Sequence, residues 1–187
     1  MSAIREKSRR SSGDKARTSA IRGSNRSFAR CSGRDLSGFI IVVDDREKKP
    51  YEFPSPYVYG RLPSGDYSIK GYETRIAVER KRPCELFANF TTHRDRFRRE
   101  WERLSTYEEA HLVIEGDIYA CATQYDRHSS VSPHVVISSL MKWSRRYRVE
   151  YHFLSDRLMA QTWTYRTLQN FFVSLVEVPS VSTTQAP

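Results

Sequence analysis

Apolar and polar positions follow two periods along the middle of this chain. A continuous apolar run from Gly38 to Val43 ends in acids, which predicts a strand buried on both faces that delivers Asp44 and Glu47 at its carboxyl end. Prolines mark residues 50–56 as a loop, and Tyr57 to Tyr59 predicts a short strand. From Tyr67 to Val78 the alternation has period two and turns near Gly71, the pattern of a hairpin. Pro83 suits the first position of a short helix reaching Phe90. Thr92, with Asp95 three residues on, predicts a capping box opening a helix to about Leu104, where Phe97, Trp101 and Leu104 form one stripe. His111 to Ile114 predicts another buried strand, closed by Glu115, Gly116 and Asp117. Ser132 and Pro133 predict a helix start with Val136, Leu140 and Trp143 facing inward, and Val149 to Leu154 predicts an outer strand. Asp156 then caps a last helix running to about Val176. The order predicts an α/β fold, a mixed sheet flanked by helices, with acids gathered at one sheet edge.

Charge divides the chain. Its 187 residues leave room for one core of ordinary size, and its formal net charge is +9. Residues 1–37 carry ten Lys/Arg against Glu6, Asp14 and Asp35, so 10 − 3 = +7 lies there and 9 − 7 = +2 in the rest. This Ser- and Arg-rich stretch is too poor in apolar residues to offset its ordering entropy and is expected to be a disordered basic arm, solvated or touching a polyanion. It is followed by one domain over 38–177 and a flexible tail over 178–187. The arm is Arg-rich, Ser-rich and poor in acids, as mitochondrial presequences are, but it lacks a convincing amphipathic helix. No apolar run matches a membrane span or a secretory signal, so no membrane partner is expected and an intracellular location, in a nucleus or nucleoid, is. Cys31, Cys84 and Cys121 are too few for a disulfide framework or zinc site; Cys84 and Cys121 read as small buried hydrophobes.

Chemistry concentrates between residues 44 and 85. Asp66 follows Gly65, and Glu79 leads into Arg80 and Lys81 on the next predicted strand, so two carboxylates and an ammonium come together. Such a set can hold Mg²⁺ or Mn²⁺ against a phosphodiester and stabilise developing charge. Three roles are open to Asp44 and Glu47: binding a metal, holding its water, or orienting Arg46 and Arg80 by salt bridges. Arg46 and Arg80 in turn contact phosphate or neutralise an acidic cleft. The Arg-dense helix from Arg94 to Arg103 carries Asp95, Glu100 and Glu102 among its cations, which reads as a solvated face laced with ion pairs more than as a DNA track. His93, His111, His128, His134 and His152 show no metal-ligand spacing and are read as ordinary histidines, and Asp126 as structural. There is no Gly-rich phosphate loop.

Taken jointly, Val43-Asp44-Asp45-Arg46-Glu47, Gly65-Asp66, Glu79-Arg80-Lys81, Glu85-Leu86 and the run from Leu112 to Gly116 resemble the nuclease domain of the XPF-type structure-specific endonucleases, the excision-repair cross-complementation group 4 domain. Two positions depart from that pattern. Glu85 stands for the family's Asp, and Arg82 for the usual Ser. The resemblance implies the restriction-endonuclease-like fold and a Mg²⁺- or Mn²⁺-dependent DNA endonuclease. It implies Asp66, Glu79 and Asp44 as metal ligands, Glu47 and Lys81 completing the catalytic set, and Arg46 and Arg80 at the substrate. Branched or flapped DNA, a role in repair, recombination or replication, and a homodimer or heterodimer through this domain are implied as well. Only ten residues, 178–187, follow the domain, too few for the tandem helix-hairpin-helix domain of many relatives. The alternatives are a non-catalytic DNA-binding or scaffolding subunit, which would have little reason to keep the acid–lysine cluster, and a nuclease acting on RNA.

Overall fold

Six strands form one mixed sheet in a computed structural model that describes residues 36–117 and 131–176. The basic arm with Cys31, the segment holding Cys121, Asp126 and His128, and the tail lie outside the described residues. The strands are β1 (Ile41–Asp44), β2 (Tyr57–Gly60), β3 (Tyr67–Ile69), β4 (Ile76–Lys81), β5 (Glu109–Glu115) and β6 (Glu150–Leu154), in the spatial order β2-β1-β3-β4-β5-β6. The expected hairpin is β3–β4, antiparallel with Tyr67 opposite Val78, and β6 takes the outer position. The helices are α1 (Pro83–Phe90), α2 (Arg94–Leu104), α3 (Pro133–Tyr147) and α4 (Arg157–Val176).

Strand alternation explains the three layers. On β4, Ala77 joins Phe97, Trp101, Leu140 and Trp143 on the face covered by α1, α2 and α3, while Ile76 and Val78 join Leu168 and Phe172 of α4 on the other. Both faces are therefore covered, which is why β1 and β5 read as unbroken apolar runs. Trp143 of α3 meets Phe90 of α1 at 5.0 Å and Phe97 of α2 at 5.8 Å between ring centroids. Each such buried side chain contributes about 1.5–3 kcal/mol, and the cluster fixes how α2 leans over the end of the sheet.

Three expectations change. The acids lie at one end of the central strands and not along a sheet edge: β3 runs antiparallel to both β1 and β4, so its beginning meets their carboxyl ends. The Thr92–Asp95 capping box is absent. Helix α2 begins at Arg94 behind His93 with no side-chain cap, because the linker closes α1 instead, through Thr91 Oγ1 to the Phe87 carbonyl (2.9 Å) and His93 N–H to the Ala88 carbonyl (2.8 Å). Cys84 is exposed, since Leu86, Phe87 and Phe90 take the inward face of α1. The Arg face of α2 does carry ion pairs, from Arg98 to Asp95 and Glu102.

Candidate active site

Asp66 stands just before β3 and is stitched into the ladder on both sides. Its N–H donates to the Val78 carbonyl and its own carbonyl accepts from the Asp44 N–H, both at 2.9 Å. Gly65 makes this entry possible: at φ +82°, an added Cβ would lie 2.9 Å from the Ala77 Cβ and 3.3 Å from the Val78 carbonyl oxygen. Gly65→Ala is accordingly expected to cost about 2 kcal/mol or more, read as a lower urea midpoint at unchanged slope. The Asp66 Oδ2 accepts the Arg80 N–H at 2.8 Å. Burial pushes this carboxyl up to about 6, Glu47 and Glu100 push the same way, and Lys81 and the Arg80 N–H oppose them.

Residues of β4 alternate between the two faces. Glu79 and Lys81 share the side of α1 and α2, and the Glu79 carboxylate, nearly all buried, accepts from the Lys81 ammonium. Arg80 points the other way. Its guanidinium is buried between Glu47 (3.5 Å) and Glu115 (3.3 Å), and Arg157 at the start of α4 grips Glu115 from outside at 3.1 Å.

Asp44 is 1% exposed. Its carboxylate accepts four hydrogen bonds: from the Arg46 N–H, Nε and Nη2 at 2.9, 2.6 and 2.8 Å, and from the Leu62 N–H at 2.8 Å. Burial alone would raise its pKa, yet these donors hold it below the ordinary carboxylate range. Of the two arginines expected at substrate, Arg46 is half exposed despite its pairing and Arg80 is not.

A cleft of about 390 Å³ opens at this end of the sheet. Asp66, Lys81, Glu47 and Arg80 line it; Asp44 and Glu79 do not. Arg46, Lys48, Lys49, Arg82 and Arg96 contribute cationic side chains to its wall. The structure thus brings Asp66, Glu79, Lys81, Glu47, Arg46 and Arg80 to one end of the sheet, with Asp44 behind Arg46.

Glu85 is an N-terminal helix acid here. Its carboxylate takes the Arg82 N–H at 2.9 Å and the Arg82 guanidinium at 2.8 Å, which together outweigh burial and lower its pKa. Sequence reasoning missed Glu100, which lines the cleft from α2 and faces Asp66 electrostatically. Its signal was a position three residues after Phe97, on the flank of the buried stripe. Glu115 was also missed as the partner shared by Arg80 and Arg157, for the three meet only through β4–β5 pairing and the packing of α4.

Hard oxygen donors gathered near a cationic wall suit a divalent ion such as Mg²⁺ better than a soft metal. The Asp66 carboxylate fits this too, as a buried charge raised to about 6 that a cation would relieve.

The fold and this cleft define an XPF-type nuclease domain. The sequence model of the ERCC4 domain matches residues 43–167, and the chain belongs to that family. The solved structure of XPF from Aeropyrum pernix is similar at 18% identity and a TM-score of 0.56, over 74% of this chain and 68% of that one. XPF from Aeropyrum pernix in complex with DNA is similar at 19% identity and a TM-score of 0.54, over 78% of this chain and 68% of that one. These likenesses show the restriction-endonuclease-like fold. No curated protein matches the sequence. Among the described residues, no helix is long and apolar enough to cross a membrane.

Proposed function

We propose that the chain is a Mg²⁺- or Mn²⁺-dependent DNA endonuclease that hydrolyses phosphodiesters in flapped or branched DNA during repair, recombination or replication. The observation that carries this reading is the convergence of Asp66, Glu79 and Lys81 at one end of the sheet, beside a cleft walled by cations, in an ERCC4 domain. Asp66 and Glu79 would hold the ion, with Glu47 at hand in the cleft. A divalent ion there supplies Lewis-acid polarisation of the phosphodiester and acidifies water.

The remaining roles belong to the chain's own groups. Lys81 stabilises charge developing on the phosphoryl oxygens and, until substrate arrives, pairs with the Glu79 carboxylate. Arg46, pre-oriented by Asp44, meets phosphate at the rim. Asp44 is assigned to that orienting task in place of a ligand role, because its lone pairs are already taken by four donors. Arg80 is assigned to holding Glu47 in place of touching DNA. The domain over 38–177 performs the chemistry, and the arm over 1–37 adds sequence-independent attraction to phosphate. Nuclear or nucleoid location and pairing through this domain with a second subunit belong to the same reading. DNA as the partner is supported by the similar Aeropyrum pernix XPF solved in complex with DNA.

The test compares matched flap DNA, duplex DNA and RNA with purified protein and Mg²⁺ or Mn²⁺. Flap DNA should be cut fastest, and Lys81→Ala should lower kcat about 100-fold with affinity changed little. Binding without cleavage of any DNA by the parent protein would make it a scaffolding subunit. Preferred cleavage of RNA would reassign the substrate.

A further inference from the structure

A buried imidazole, a half-buried imidazole and a carboxylate meet at the other end of β5, well away from the cleft. Parallel pairing of β5 with β6 sets His111 opposite Glu150 and Val113 opposite His152, so all three polar side chains leave the sheet on the α4 side. Four residues of strand, about 13 Å, separate His111 from Glu115. His111 Nδ1 lies 3.5 Å and His152 Nε2 3.7 Å from the same Glu150 Oε2, and one ligand atom from each residue lies within 4.8 Å of the others. Among the described residues this is the only His, Cys, Asp and Glu group so gathered.

The two nitrogens aimed at Glu150 are buried and make no hydrogen bond. A neutral imidazole has one N–H, and His111 Nε2 already faces Glu109 Oε2 at 3.4 Å. With the proton placed there, Nδ1 turns a lone pair toward the lone pairs of Glu150, an arrangement that repels unless a cation stands between them.

We propose that His111, His152 and Glu150 bind a zinc-class divalent ion, and that this ion fastens the edge strand β6 to β5. Ligand atoms around tetrahedral zinc lie about 3.4 Å apart, given bonds near 2.0–2.1 Å, and the two gaps to Glu150 are of that size. Two imidazoles and one carboxylate select zinc or cobalt over magnesium. Glu109 on the far nitrogen of His111 is the usual second partner of a metal-bound histidine. Glu150, 70% exposed, leaves the fourth position open to water. His152 packs on Trp163 at 4.0 Å between centroids, which places a fluorescent reporter beside the site.

The proposal does not depend on the reading of the cleft, and the test separates them. Full-length protein without a histidine tag, carrying Asp66→Asn to weaken the cleft's hold on cations, is titrated with Zn²⁺ against a chromophoric chelator and, separately, with Co²⁺. One ion per chain is expected at this site. Co²⁺ should show visible bands of a four-coordinate complex and quench Trp163. Glu150→Gln, at an exposed position that preserves the fold, should weaken binding at least tenfold and remove the quenching; His152→Asn should do the same. No uptake by the parent, or uptake that Glu150→Gln leaves unchanged, would overturn the proposal.

Discussion

Asp66→Asn is expected to abolish metal-dependent cleavage and, in metal-free buffer near pH 7, to raise the melting temperature by about 4 °C or more. The two effects share one cause. Burial raises the Asp66 carboxyl from 3.8 to about 6, with Glu47 and Glu100 adding to the shift. Its folded pKa thus exceeds the unfolded one, so the folded chain holds this proton more tightly. The protonated form carries no penalty below about pH 4; the penalty grows as pH rises and is complete once pH exceeds about 6, at an order of 2–3 kcal/mol. Asparagine removes the charge and keeps an oxygen for the Arg80 N–H. Calorimetry at pH 4 and pH 7.5 should find the gain only at the higher pH. A variant less stable than the parent at pH 7.5 would refute this account. Cleavage by the parent at limiting Mg²⁺ should fall as pH drops through about 6, because a protonated Asp66 is a poor ligand for a cation, and more Mg²⁺ should move the fall to lower pH. Mg²⁺ should stabilise the parent protein and leave Asp66→Asn nearly unmoved, which ties the destabilising charge to its use.

Arg80→Met should cost about 3 kcal/mol, a fall in melting temperature of roughly 10 °C. Glu47 and Glu115 are about 10% and 11% exposed and share this one buried guanidinium, so its loss strands two carboxylates in a medium that solvates them poorly. Glu115 keeps Arg157, and Glu47 keeps the Lys49 N–H at 2.6 Å, which holds the cost below that of fully orphaned charges. Arg80→Lys should recover less than half, because a single ammonium cannot span both partners. Urea unfolding measures these differences. A loss under 1 kcal/mol, accompanied by weaker DNA binding, would return Arg80 to the substrate. The comparison therefore separates a pin inside the fold from a phosphate contact.

Much of this architecture is legible in the sequence, because local pattern reflects which faces are covered. The unbroken apolar runs at Ile41 to Val43 and Leu112 to Ile114 announce strands buried on both sides, and the stripe Phe97, Trp101 and Leu104 is the buried face of α2. The order of motifs placed Asp66, Glu79 and Lys81 in one neighbourhood. Where two local signals competed, the sequence reading failed: the linker before α2 spends its hydrogen bonds on closing α1, so Thr92 caps nothing.

The sequence by itself determined the strands, the covered faces and the clustering of acids with Lys81, since strand period and helix stripe are written in consecutive residues. Only the tertiary structure decided which charge meets which. The Leu62 N–H on Asp44, Glu47 and Glu115 on Arg80, Glu100 across from Asp66, and His111 beside His152 are pairings made by strand order, register and helix packing between distant segments. A carboxylate's character depends on whether burial, an arginine or an N–H reaches it first. That depends on distances in space, which spacing along the chain does not contain.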